Sequence, residues 1–193
     1  MMIRSNAASR VKFSLRHSLY GLLLFALPVA VYASDVQLIP EATKYETGGQ
    51  PVAVAVADLN KDGIADVITV NYAADSVSVL LGKSDGTYQP RVSYGVGSGP
   101  LDVQIADLDG DGNLDIAVVD ATDSTVSILY GKGNGTFGSA KTLDVGGVDP
   151  LKLQIADLDG DGKLDIVTVN NTSNSISILL GSGSRTFKTA TQI

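Results

Sequence analysis

After residue 35 the chain alternates apolar and polar positions in short bursts, and the bursts come in the same order three times. Val52, Val54 and Val56 open the first round, Val103 and Ile105 the second, and Leu151, Leu153 and Ile155 the third. A period of two predicts a strand with one face buried. A nearly continuous apolar stretch follows in each round, at Asp66–Val70, Asp115–Val119 and Asp165–Val169. Strands of that kind are usually covered on both faces. Alternation returns at Val77-Ser78-Val79-Leu80, Val126-Ser127-Ile128-Leu129 and Ile176-Ser177-Ile178-Leu179. A glycine-rich turn then leads to an outer strand beginning at Tyr88, Phe137 or Phe187. No stretch after residue 33 has helical periodicity with caps.

The rounds keep a fixed length. Pro51, Pro100 and Pro150 recur 49 and 50 residues apart, and so do Tyr88, Phe137 and Phe187. Four short antiparallel strands in about 45–50 residues, repeated, predict an all-β chain of β-propeller-type blades. The expected blades span approximately 51–95, 100–145 and 150–193, within a repeat domain at 34–193. An extra outer strand is expected at approximately 36–45. A solenoid of stacked hairpins is the runner-up architecture.

Between the first and second strands of each round lies an acidic loop. The second reads Asp107-Leu108-Asp109-Gly110-Asp111-Gly112-Asn113-Leu114-Asp115, with carboxylates at positions one, three, five and nine. Ligands at alternate positions converge only if the backbone curls tightly, and Gly112 at position six permits positive φ without a Cβ clash. A hard cation taking six to eight oxygens at roughly 2.3–2.6 Å suits this arrangement, which is the front half of a calcium loop. Asp157-Leu158-Asp159-Gly160-Asp161-Gly162-Lys163-Leu164-Asp165 repeats it in full, and Asp58-Leu59-Asn60-Lys61-Asp62-Gly63-Ile64-Ala65-Asp66 repeats it with Asn at position three. A turn that merely favours Asp and Gly has no reason to recur at that spacing. About three calcium sites are expected, the first the weakest because it has one carboxylate fewer. Helices would flank such a loop in an EF-hand, whereas β-branched residues flank it here.

The first 33 residues are of another kind. Arg4, Arg10, Lys12 and Arg16 form a basic stretch without an acid, and Leu19 to Val31 is a 13-residue apolar run. Val31 and Ala33 offer small residues for cleavage before Ser34. This predicts a signal peptide at 1–33 and a secreted product, extracellular or periplasmic. The apolar run falls short of the roughly 20 residues of a membrane span, and no span is expected after cleavage.

Charge and composition narrow the function classes. All 21 acids lie beyond residue 33, while four of the 14 bases precede it, so cleavage leaves 10 bases against 21 acids, or −11. Eleven of those acids sit in the three loops. The excess acid is thus explained by metal sites, and a nucleic-acid partner is disfavoured. The chain has no Cys and no Trp, and its one histidine, His17, falls in the signal. That excludes Ser-His-Asp and Cys-His constellations and zinc sites built on His or Cys. Catalysis by a carboxylate pair would have to use Asp75, Asp102, Asp120, Asp123, Asp144 or Asp149, and nothing in their spacing recommends a pair. The chain is expected not to be an enzyme.

The loops, the strand Leu-Asp-Ile-Ala-Val or Leu-Asp-Ile-Val-Thr that follows them, and Gly-Thr-Phe-Gly at 135–138 together resemble the FG-GAP-like, or VCBS, repeat. That family includes the propeller blades of integrin α-chains, and the resemblance covers roughly residues 36–193. It implies that the calcium loop joins the first and second strands of each blade. It implies as ligands Asp58, Asn60, Asp62 and Asp66; Asp107, Asp109, Asp111 and Asp115; and Asp157, Asp159, Asp161 and Asp165. Backbone carbonyls of Ile64, Asn113 and Lys163 would take the seventh positions. Propellers close with about four to eight blades, so three make a partial propeller. Two copies are expected to pair into a six-bladed ring, or the chain to complete itself against a partner. The alternative is that it is part of a longer product.

Three functions are compatible with these readings. The leading one is a calcium-stabilised binding or adhesion module meeting a protein or glycan. The second is a lectin-like sugar binder, for which Tyr72 and Tyr130 are aromatic candidates. The third is an accessory or remnant domain of an extracellular lyase or hydrolase.

Overall fold

The computed structural model describes residues 43–193, and the fold is given for those residues. The signal peptide and most of the expected strand at 36–45 lie outside them.

Alternation in the sequence becomes three four-stranded antiparallel sheets. The first holds β1 (Pro51–Ala57), β2 (Asp66–Asn71), β3 (Ser76–Leu80) and β4 (Val92–Gly95) in that order. The second holds β5 (Pro100–Ala106), β6 (Asp115–Asp120), β7 (Thr125–Leu129) and β8 (Lys141–Asp144). The third holds β9 (Pro150–Ala156), β10 (Asp165–Asn170), β11 (Ser175–Leu179) and β14 (Thr191–Gln192). A small hairpin of β12 (Gly181–Gly183) and β13 (Thr186–Phe187) sits between β11 and β14 in the chain. Among the described residues the one helical turn is a 3-10 turn at Tyr72–Ala74.

Pairing decides which side chains share a face, since directly opposed residues point the same way. Ala53 pairs with Val70 and Ala55 with Ile68, and these continue to Val77 and Val79 on β3. That row forms one core with Val103, Ile116, Val118, Leu129 and Phe137 of the second sheet. The other face of the second sheet carries Ala117, Val119, Val126 and Ile128, which form a second core with Leu153, Ile166 and Leu179. The middle sheet is therefore apolar on both faces, and all six residues of β6 are buried. The sheets stack as blades, with inner strand β5 lying against β1 on one side and β9 on the other.

Two expectations are corrected. In β1 the alanines face the core, while Val54 and Val56 are 65% and 62% exposed. They occupy the face that Val103 and Leu153 occupy in the next two sheets, but among the described residues no sheet covers it. The outer strands begin later than the aromatic residues. Tyr88 and Phe137 make single bridges to Gly82 and Gly131, and Phe187 pairs with Gly181. None of them starts the ladder of its outer strand; Phe137 is buried in the first core and Phe187 packs against the second. The expected strand at 36–45 lies mostly outside the described residues, and its last three, Thr43–Tyr45, are not in a strand. Tyr45 nevertheless keeps the repeat: its ring meets Tyr88 edge-on at 5.2 Å, as Tyr94, 49 residues later, meets Phe137 at 5.3 Å.

The second strand of each sheet ends on a buried polar residue: Asn71, Asp120 and Asn170. Asn71 donates from Nδ2 to Ser78 Oγ at 2.9 Å and accepts the Gly48 N–H on Oδ1 at 3.0 Å. Asn170 donates to Ser177 Oγ at 2.8 Å and accepts from Thr168 Oγ1 at 2.9 Å. Asp120 cannot donate when ionised, so the hydroxyls reverse: Ser127 and Thr125 donate to its Oδ2 at 2.7 and 3.1 Å. Its Oδ1 has no partner. The equivalent of Thr69 and Thr168 is Val118, which has no hydroxyl to give it. Burial pushes the Asp120 carboxyl up to about 6, against the pull of the Ser127 and Thr125 hydrogen bonds.

A folded-state value above the unfolded one means that ionisation opposes folding. The cost is small below about pH 4, grows as pH rises towards 6, and is complete at neutral pH, where it amounts to about 3 kcal/mol. Asp120→Asn, which restores the residue of the sister sheets, is expected to raise the melting temperature by about 8 °C at pH 7. At pH 4 the gain should vanish. Calorimetry at the two pH values measures both.

Candidate metal centre

Each acidic loop hangs between the first and second strands of its sheet, and its ninth residue is the first residue of the second strand. That residue, Asp66, Asp115 or Asp165, is completely buried. Its carboxylate bridges two backbone amides. Asp115 Oδ2 accepts the Leu108 N–H at 2.9 Å and Oδ1 accepts the Gly131 N–H at 2.8 Å. Asp66 holds Leu59 and Gly82, and Asp165 holds Leu158 and Gly181, each at 2.8 Å. The ninth aspartate thus ties the start of its own loop to the turn after the third strand.

The first carboxylate curls the loop from the other end. Asp107 accepts the N–H groups of Gly110 and Asp111 on Oδ1 and of Gly112 on Oδ2, at 2.8–3.1 Å. Asp58 accepts from Asp62 and Gly63, and Asp157 from Gly160 and Gly162. Gly63, Gly112 and Gly162 have φ of 82°, 84° and 81°. At the third position Asn60, Asp109 and Asp159 each accept the N–H of residue five. Residues five, namely Asp62, Asp111 and Asp161, accept the N–H of Ile64, Asn113 and Lys163 at 2.8–2.9 Å.

Oxygens of Asp107, Asp109 and Asp115 lie within 4.8 Å of one another, and so do those of Asp157, Asp159 and Asp165. Ligands around one ion at 2.3–2.6 Å stand no more than about 5 Å apart, so both groups fit a single hard cation. An all-oxygen donor set suits calcium or magnesium rather than a soft metal. The fifth-position carboxylates fall outside these groups. Asp161 is held by Lys163 Nζ at 2.5 Å, and Asp111 lies 3.4 Å from Arg185 Nη2. The first loop forms no such group among the described residues; Asn60 Nδ2 there donates to Asp62 at 2.9 Å.

Burial raises the Asp115 carboxyl to about 6, and neighbouring Asp109 and Asp111 add to the rise against the two amide hydrogen bonds. The Asp111 and Asp161 carboxyls are held below the ordinary range by hydrogen bonds from Asn113 and Lys163 respectively. Tyr130, beside the second loop, is pushed up to about 12, first by burial and then by Asp115 and Asp109.

The six aspartates weighed above as candidates for a catalytic pair are all engaged. Asp75, Asp123 and Asp144 accept the N–H of Gly99, Ser98 and Gly146. Asp102 pairs with Lys152 at 3.0 Å and accepts the Leu153 N–H. Asp149 accepts from Asn171 and Thr172, and Asp120 is the buried group described above. Tyr130 is buried in the second core, and Tyr72 is partly exposed.

Two features were missed from the sequence. Gly82, Gly131 and Gly181 recur 49 and 50 residues apart and stand so close to the loop that a Cβ would meet the carbonyl oxygen of residue 65, 114 or 164 at 2.5, 2.1 or 2.3 Å. Their spacing marks them as part of the repeat, but the close approach that requires glycine shows only in three dimensions. Arg185 reaches Asp109 and Asp111 from the hairpin of the third repeat, and no periodicity announces it.

Residues 58–118 and 107–168 match the family model described as an FG-GAP-like repeat. Among solved structures the chain is similar to an Agrocybe aegerita lectin described for specific recognition of non-reducing terminal N-acetylglucosamine. Identity is 27% and the TM-score 0.54, over 72% of this chain and 37% of that one. It is also similar to a chain of the Photorhabdus luminescens Tc holotoxin pore, with 23% identity and a TM-score of 0.45 over 72% of this chain and 7% of that one. This chain therefore spans well under half the length of either. No curated protein matches.

Removing the ninth carboxylate leaves two buried amides without acceptors. Asp115→Ala is expected to cost about 2–4 kcal/mol even in chelator, because the clamp works without an ion. Urea titration of the two proteins in chelator checks it.

Proposed function

The chain belongs to the FG-GAP-like repeat family, and from that premise we propose a secreted, non-catalytic binding module of β-propeller type, braced by calcium, whose ligand is a glycan. The metal half is carried by one observation: oxygens of positions one, three and nine gather within 4.8 Å in both complete loops. Asp107, Asp109, Asp111, Asp115 and the Asn113 carbonyl would hold calcium in the second loop. Asp157, Asp159, Asp161, Asp165 and the Lys163 carbonyl would hold it in the third. Asp58, Asn60, Asp62, Asp66 and the Ile64 carbonyl would do so in the first, more weakly. The ion supplies charge neutralisation to a crowded set of carboxylates, and the protein supplies the curl. Engagement of the six candidate aspartates in backbone or side-chain hydrogen bonds supports a non-catalytic role, and the basic, then apolar, N-terminal pattern supports export.

The glycan half rests on the likeness to the lectin. Tyr72 is the aromatic candidate for sugar stacking. It follows β2 at the end away from the loop and is 39% exposed, whereas the Tyr130 ring is covered by Arg185 at 4.6 Å. Such platforms commonly bind sugars through an aromatic face.

At free calcium about ten times Kd, each site contributes about 1.4 kcal/mol and three contribute about 4 kcal/mol. Chelation is therefore expected to lower the melting temperature by about 10 °C, and calcium-loaded protein to bind N-acetylglucosamine-terminated glycans on an array. An unmoved melting temperature overturns the metal half, and an empty array the glycan half.

The end sheets support self-association as part of the same proposal. Val54 and Val56 on the first sheet and Val169 on the third are exposed, and exposed apolar patches mark association surfaces. Sedimentation in calcium is expected to show a dimer, and a monomer at all concentrations removes this element.

A further inference from the structure

We propose that Arg185 is a resident cation of the second loop: its guanidinium holds Asp109 and Asp111 when no metal is seated, and it must release them when one binds, so that it lowers that loop's affinity for calcium. The inference rests on the metal reading above and adds a residue that sets the strength of one site.

Arg185 lies in the turn of the separate β12–β13 hairpin of the third repeat, yet its contacts are in the second repeat. Nε donates to Asp109 Oδ2 at 2.5 Å and Nη2 to Asp111 Oδ2 at 3.4 Å. The guanidinium carbon stands 4.6 Å from the centre of the Tyr130 ring. A planar, permanently charged group can bind carboxylates along its edge while stacking its face on an aromatic ring. The Asp109 side chain is only 4% exposed, so its contact is shielded from water, while half of the arginine remains accessible.

Backbone geometry points the same way. Arg185 has φ 64°, and the same place in the sister turns is held by Gly86 at 78° and Gly135 at 76°. Glycine adopts that region freely, and a side chain makes it unfavourable. Strain retained where the other two repeats avoid it indicates that the side chain is used. The contact is also specific to one loop. In the third, Lys163 holds Asp161 alone and leaves Asp159 without a cation. In the first, no lysine or arginine touches an acid of the loop among the described residues; Lys61 reaches instead to Asn113. Among the described residues, only in the second does a cation hold a member of the three-oxygen group, Asp109.

A unit charge beside a divalent ion at about 5–6 Å, largely screened, changes affinity by about tenfold. The test uses the full chain with the first and third loops silenced by Asp58→Asn and Asp157→Asn, titrated with calcium by calorimetry. Arg185→Gln is expected to lower Kd about tenfold, and Arg185→Lys to keep it near the parent value. In chelator Arg185→Gln should melt below the parent; with saturating calcium the two should melt together. Should Arg185→Gln fold poorly, Arg185→Gly, which relieves the strained φ, is expected to give the same tightening. An unchanged or weaker affinity in the folded variant overturns the proposal. So does a fall in the chelator melting temperature without tightening, which would make Arg185 a purely structural contact. If the parent takes up no calcium, the metal reading fails and this inference fails with it. If it takes up calcium with an affinity indifferent to residue 185, only this inference fails.

Discussion

A buried carboxylate holding two amides is the contact on which the rest of this structure depends. Asp66, Asp115 and Asp165 each fasten the second residue of the loop to a glycine sixteen positions after the aspartate. Burying a charge is expensive unless it is hydrogen-bonded, and here both oxygens are. The clamp fixes where the loop leaves β1, β5 or β9 and where the turn after β3, β7 or β11 must pass. It also explains the glycines: the backbone of Gly82, Gly131 and Gly181 approaches the loop so closely that no Cβ fits. Once these points are pinned, the curl made by Asp58, Asp107 and Asp157 brings the remaining acids of the loop together, and a cation becomes the natural way to relieve their repulsion.

Stacking follows from the same repeat. Every sheet offers an apolar row on each face, so a sheet between two others has no solvated side. β6 shows the result, with six residues out of six buried, while β1 exposes Val54 and Val56 because nothing described here lies beyond it. The energetic unit is thus the pair of adjacent sheets and the core between them, as expected for repeat architectures.

Most of the architecture was legible in the sequence because two periods coincide, one of two residues within strands and one of 49 or 50 between repeats. The loops were legible for the same reason: Asp, Gly and Asp at fixed offsets have one common physical explanation. Periodicity misled where it lacked a second partner. Val52, Val54 and Val56 read as a buried row, yet which face of a strand is buried depends on what lies across it. Tyr88, Phe137 and Phe187 read as strand starts because aromatic residues favour strands, whereas Phe137 and Phe187 pack into the cores, Tyr88 packs on Tyr45, and the ladder starts several residues later. The clamp glycines recur with the period but are hidden among other glycines, and their role comes from a close approach that only three-dimensional placement shows.

The departures from symmetry are more informative than the symmetry. Three copies of one unit share a backbone, so a residue that differs in one copy is compared with two internal controls. At the end of the second strand, Asn, Asp and Asn face the same hydroxyls, and the middle sheet alone has lost the threonine that would satisfy the spare oxygen; its carboxylate is left buried with Oδ1 unpartnered. In the turn after the third strand, Gly, Gly and Arg share a left-handed backbone, and the last repeat alone tolerates a strained residue there. In each case the odd residue gives up a local preference that its sisters satisfy, and in each case the residue is charged. Packing can account for neither, because asparagine and glycine demonstrably pack at those positions. What remains to distinguish the odd repeats is electrostatics: a buried charge that can be neutralised by a proton in one, and a fixed charge that a divalent ion would have to displace in the other.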